Sequence, residues 1–265
     1  NDLSKSRQID SALNVLSKGL GLYQRNFKYD TIGLVNLKLL KGYLHFLSYD
    51  YTKSQQLYES EIRPLIFGLH DWNPNGYNYL RCEFYRLALI TYSAVGNLNK
   101  TISYSNDYLK IAPQFLDKSH FRFGEVYRDL AEAYLKVGRI ESFANYIQQA
   151  TDVFQSNTYY SKQRNYYLMR KHYYTGNYDS CVTYSEKVLE KAWIDKKFNG
   201  RHLNAIQMLV NARIRLLQYD QAISTLENYI EIYKGNGKVV SDRLSFLYEL
   251  YIKICCRSIE SQHPV

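Results

Sequence analysis

Proline and glycine are scarce in this chain, with 4 and 13 copies among 265 residues. Both interrupt regular structure, so their scarcity favours long helices joined by short turns. Cysteine is as rare as proline: Cys82, Cys181, Cys255 and Cys256 are the full set, and no CxxC pair occurs. The adjacent Cys255 and Cys256 cannot complete a tetrahedral metal site alone, so buried free thiols are expected, with no metal site and no cofactor. No apolar run reaches the roughly 18 residues of a membrane-spanning helix. No GxSxG, P-loop, GxGxxG or HExxH motif appears, so the commoner motif-borne chemistries have no support. The six histidines, His45, His70, His120, His172, His202 and His263, include no pair at the spacing of helical metal ligands. These absences predict a protein that is not an enzyme, with no catalytic residue assigned.

Apolar residues make up 46% of the chain, enough to exclude disorder. Tyrosine is abundant, with 28 copies. A ring with a polar tip suits half-buried positions between helices and also a binding surface, and packing is the first expectation. The net charge of +9 permits nucleic acid, anionic lipid or acidic peptide as partners. Yet Lys and Arg are scattered, and runs such as Arg170-Lys171 and Lys196-Lys197 stop at two residues. No tract resembles a nucleic-acid arm, so the charge reads as a solvated surface.

The informative feature is a repeat. Glu83-Phe84-Tyr85-Arg86 through Gly96-Asn97-Leu98 aligns without gaps on Glu125-Val126-Tyr127-Arg128 through Gly138-Arg139-Ile140. A third copy runs from Asn165 through Gly176-Asn177-Tyr178, and weaker ones end at Tyr49-Asp50-Tyr51 and Leu217-Gln218-Tyr219. After each turn a second helix is expected, with a small or short residue three positions into it: Ser54, Thr101, Cys181 and Ala222, with Phe143-Ala144 as the exception. Four residues on, Tyr58, Ser105, Ile147, Ser185 and Leu226 continue the inward stripe of an amphipathic helix.

This pattern resembles the tetratricopeptide repeat. The best match is Tyr127, Leu130, Ala131, Tyr134, Gly138, Ile140, Ile147 and Ala150, followed by Tyr85, Ala88, Tyr92, Gly96, Leu98, Thr101 and Pro113. The post-turn positions Tyr51, Leu98, Ile140, Tyr178 and Tyr219 lie 47, 42, 38 and 41 residues apart, against a standard period of about 34. The units are therefore longer than usual. His45 and His172 fall where the repeat places an aromatic and read as packing residues. The resemblance implies an all-α, right-handed superhelical solenoid of about five helical hairpins with partial capping helices at both ends. One array is expected over residues 1–265: an N-terminal capping helix in 1–30, hairpins in 31–237, and a C-terminal capping helix and tail in 238–265. In the first cap Ile9, Leu13, Leu16 and Leu20 point inward; in the last, Leu244, Leu247, Leu250 and Ile254 do. Links are expected near Asp71–Gly76, Ser156–Thr158 and Gly235–Gly237.

In such an array the first helices of successive hairpins line a concave face that binds peptides. Carried over position by position, the resemblance selects Glu83, Arg86, Glu125, Arg128, Glu132, Gln163, Tyr166, Arg170, Tyr173, Asn204, Gln207 and Asn211. Amides can bond a peptide backbone irrespective of its sequence, arginines grip carboxylates with paired bonds, and tyrosines offer flat contact area. Glu83 with Arg86, and Glu125 with Arg128, also have the spacing of plain helix-surface ion pairs. The expected function is a non-enzymatic peptide- or protein-binding scaffold, the sensing or docking region of a larger bacterial regulatory protein. The units look like repeat regions of Bacteroidetes regulators. The alternative is self-association, in which exposed faces form a homodimer and no free peptide is bound. Nucleic acid and a membrane span are not expected within these residues. The start at Asn1 reads as a processed form or fragment, soluble, with cytoplasm and periplasm both open.

Overall fold

The computed structural model describes residues 2–27, 30–67, 74–195, 199–235, 249, 251, 252 and 254. Among them every regular element is helical. In chain order these are α1 (Asp2–Asn26), α2 (Thr31–Leu47), α3 (Tyr51–Gln56), a π-helical turn (Leu57–Ile62), α4 (Arg63–Phe67) and α5 (Pro74–Ala94). Then come α6 (Leu98–Ile111) with a 3-10 turn (Ala112–Gln114), α7 (Phe121–Lys136), α8 (Ile140–Gln155), α9 (Thr158–Tyr174), α10 (Tyr178–Asp195), α11 (Gly200–Arg215) and α12 (Tyr219–Gly235). The expected link over 71–76 is shorter at its far end, since α5 starts at Pro74, a residue favoured in a first helical turn. Likewise α12 runs on through Gly235. The expected closing helix falls mostly outside the described residues, as do Leu244, Leu247 and Leu250; Ile254 is helical and fully buried.

Five turns recur with one geometry. In each, an N–H bonds back across five residues: Asp50 to His45, Asn97 to Tyr92, Arg139 to Tyr134, Asn177 to His172 and Gln218 to Arg213, at 2.8–2.9 Å. The residue before it adopts positive φ: Tyr49, Gly96, Gly138, Gly176 and Leu217. This is the Schellman ending of a helix, which satisfies orphan carbonyls in a left-handed residue. Asp50, Asn97 and Asn177 then cap the second helix by accepting from Lys53, Lys100 and Ser180 N–H groups. Three of the five positive-φ positions are glycine, the residue that enters this region without steric penalty.

By contacts the chain falls into two compact units, residues 1–146 and 147–265. In the first, α1 packs on α2, α2 on α3 and α5, α5 on α6 and α7, and α6 on α7. Within α1, Ile9, Leu13 and Leu16 are partly covered and Leu20 is buried, as the spacing predicts. Phe84 anchors this core, with Tyr58, Phe67 and Tyr104 rings at 5.7–6.2 Å. Ser54 Oγ donates to the Gly42 carbonyl at 2.9 Å, which binds α3 tightly to α2. A Cβ on Gly42 would come within 2.5 Å of Tyr58 Cε1, so the close approach depends on that glycine. The π turn ends two residues before Pro64: the Arg63 N–H reaches back to the Tyr58 carbonyl, and Pro64 has no N–H to donate to an α ladder.

In the second unit α10 packs on α9 and α11, α11 on α9 and α12. Its core joins Met169, Leu189, Ile206, Leu209, Leu226 and Tyr229 to Ile254. In both units the predicted second-helix stripe is buried: Ser54, Thr101, Phe143, Cys181 and Ala222, then Tyr58, Ser105, Ile147, Ser185 and Leu226. Cys181 lets α10 approach its neighbours closely, and Ser185 Oγ returns its bond to the Cys181 carbonyl at 2.7 Å.

Candidate binding face of the first helices

In the first unit the leading helices α2, α5 and α7 pack in succession. Glu83, Arg86, Glu125, Arg128 and Glu132 all lie half-buried on α5 and α7. Glu83 is clamped: Arg86 donates to its Oε2 from Nε at 3.2 Å and Nη2 at 2.9 Å, and Arg122 from α7 bonds its Oε1. A carboxylate held by two guanidiniums ties α5 to α7. Arg128 reaches the neighbouring Asp129, Nη2 to Oδ1 at 2.9 Å. Burial pushes the Asp129 carboxyl up, and Arg128 offsets part of that rise. Charge on this face is thus largely matched within the unit.

In the second unit α9 and α11 are the adjacent leading helices. Gln163, Tyr166, Arg170, Tyr173, Asn204 and Asn211 are half-buried, and Gln207 is exposed. The Arg170 and Arg201 guanidiniums each lie 5.9 Å from the Tyr166 ring centre, one from each helix. Burial raises the Tyr173 phenol's pKa, and its hydrogen bond with Asn211 across the helix pair acts against that rise. Asn204 holds a buried Oδ1 with no hydrogen-bond partner among the described residues. Such an acceptor left unpaired costs roughly 1–3 kcal/mol.

Sequence reasoning missed a basic cleft of about 430 Å³ beside this face, between α9, α10 and the start of α11. Lys162 from α9, Lys187 and Lys191 from α10, and Arg201 from α11 line it, with Tyr166 and the helix-capping Asn199. The first-helix positions of the repeat include no residue of α10, the second helix that supplies Lys187 and Lys191. A signal was available: α9 and α11 contain no Asp or Glu, whereas α10 and α12 hold seven.

Other candidate chemistry is structural. Burial pushes the Cys82 and Cys181 thiols up to about 11, which keeps them protonated; Cys255 and Cys256 lie outside the described residues. His172 stacks on Tyr184 at 5.4 Å with rings nearly parallel, the packing role expected of it. Among the described residues no group of three His, Cys, Asp or Glu side chains could hold a metal, and no helix is long and apolar enough to cross a membrane.

No protein-family model matches the sequence, and no curated protein matches it. Solved structures do. BtubC (BKLC) from P. vanneervenii superimposes with a TM-score of 0.62 at 15% identity, over 87% of this chain and 93% of that one. A putative kinesin light chain from Podosopora anserina, with nearly identical tetratricopeptide-like repeats, gives 0.57 at 16% identity, over 80% and 100%. The fold is therefore that of tetratricopeptide-like helical hairpins.

Proposed function

We propose that the chain is a non-catalytic protein-interaction scaffold that binds an extended peptide segment on the leading helices of its hairpins. We read residues 1–265 as one repeat array, the docking region of a larger regulatory protein of the kind its repeat units resemble. The observation that carries the binding proposal is the arrangement of α9 and α11. Gln163, Asn204, Gln207 and Asn211 supply amides on the same two packed helices that carry Tyr166 and Tyr173. Amides can pair with peptide N–H and C=O groups, and the rings add contact area that loses little entropy on binding. In the first unit, taken by itself, the row of Glu83, Arg86, Glu125, Arg128 and Glu132 offers a separate candidate surface, where a partner would compete with existing ion pairs.

The test is to pan a displayed random-peptide library against the intact chain, then measure recovered peptides by calorimetry. Dissociation constants near micromolar are expected, about −8 kcal/mol. Tyr166→Ala should weaken them about tenfold, as loss of an aromatic anchor does. Light scattering over a concentration series accompanies this. A protein that yields no peptide and doubles in mass as concentration rises is a self-associating module, and the scaffold reading then fails.

A further inference from the structure

The basic cleft of the second unit is asymmetric in a way that net charge does not explain. Positive charge concentrates on the leading helices, with Lys162, Arg164, Arg170 and Lys171 on α9 and Arg201, Arg213 and Arg215 on α11. The carboxylates sit on the following helices, where Glu186 is taken up by Arg213 at 2.8 Å. Lys187 and Lys191, one turn apart on α10, extend the positive surface around the cleft. Among the described residues no carboxylate pairs with Lys162, Lys187, Lys191 or Arg201. The α11 N-terminus opens on the same space: Asn199 accepts from the Arg201 and His202 N–H groups there. A helix start adds partial positive charge. Like charges held this close repel one another, and an anion in the cleft relieves that repulsion.

We infer that this cleft receives clustered carboxylates of an acidic peptide segment, so that the unit selects Asp- and Glu-rich partners. The inference rests on the peptide-binding reading and narrows its partner. Peptide is favoured over nucleic acid because Gln163 lines the cleft and Asn204, Gln207 and Asn211 follow on the helix that begins at it, and such amides match a backbone of alternating N–H and C=O groups. A phosphodiester strand has acceptors there and no such donors. Tyr166, between Arg170 and Arg201, forms the wall shared by cleft and amide row.

Fluorescence anisotropy with three labelled probes tests this on the intact chain: alternating Asp-Glu, alternating Asn-Gln of equal length, and an oligothymidylate. Lys162→Glu/Lys191→Glu reverses two exposed cleft charges, and Lys118→Glu/Lys136→Glu reverses two exposed charges in the first unit as a net-charge control. The Asp-Glu probe should bind at least about tenfold tighter than Asn-Gln, and more weakly as salt shortens the screening length from about 10 Å. The cleft variant should lose that preference and the control should keep it. Equal binding of both peptides overturns the charge assignment and leaves the scaffold reading standing. So does failure of the acidic probe where library peptides bind. Equal losses in the two variants overturn the location, and an oligothymidylate that displaces the acidic probe at lower concentration overturns the partner class.

Discussion

Glu59 sits on the π turn and gathers bonds from three helices. Its Oε1 accepts from Tyr104 Oη at 2.5 Å, Tyr92 Oη at 2.8 Å and Lys100 Nζ at 3.0 Å, and its Oε2 pairs with Arg63 at 3.1 Å. Burial alone would raise its pKa, but the hydrogen bonds from Tyr104, Lys100 and Tyr92 outweigh burial and hold the carboxyl at about 2. An unfolded glutamate titrates near 4.3. A depressed folded pKa stabilises above the unfolded value, and that contribution is lost as pH falls toward the folded one. Glu59→Gln should therefore cost about 1.5–3 kcal/mol at neutral pH, the range for hydrogen bonds to a charged group. Urea denaturation of both proteins from pH 7 downward should show the gap narrowing between about pH 5 and pH 2. A gap that stays constant across that range would mean the charge of Glu59 is irrelevant to it. Little in the sequence singles Glu59 out, because three of its four partners lie 33 to 45 residues away and no repeat position predicts them.

At the scale of the element, the five turns share one hydrogen-bond pattern but differ in their left-handed residue. Gly138 has open space where a Cβ would go, so Gly138→Ala changes only backbone strain. Strain of roughly 1–2 kcal/mol, less about 0.4–1 kcal/mol for the stiffer unfolded chain, predicts a net loss of up to roughly 1.5 kcal/mol. Leu217 is 72% exposed, so it buries little, and Leu217→Gly should gain a similar amount. Opposite signs in chemical denaturation are the expected result, and equal signs would show that side-chain packing decides both. The turns were legible in the sequence because glycine marks three of them and an Asp-Tyr or Gln-Tyr follows the other two. The paired helices and the buried stripe from Ser54 to Leu226 were legible through their 3.6-residue period. The π turn was not: Pro64 marks its end, but whether a proline kinks, ends or bulges a helix depends on its packing. The candidate face was legible in part. A first-helix template finds Tyr166 and Asn211, yet it has no place for Lys187 and Lys191, which reach the cleft from a second helix.

Across the whole molecule, stability should follow how much of each helix is covered by its neighbours. Protection against amide exchange reflects local opening, which costs least where few apolar side chains are buried. In the first unit the described side chains of α1 include one that is buried, Leu20 at 8% exposure, whereas α5 buries Leu80, Phe84, Ala88, Leu89 and Thr91 at 1% exposure or less. In the second unit α11 is buried at six positions from Ala205 to Ala212 and packs against α9, α10 and α12. Hydrogen exchange followed by mass spectrometry should therefore show α1 exchanging first, and α5 and α11 last, with protection rising from α1 toward α5. This ordering separates a stack of hairpins from a single cooperative bundle, because in a stack each element answers to its nearest neighbours. Uniform protection from α1 through α5 would show that the first unit opens only as a whole. The nearest-neighbour account of its stability would then be wrong.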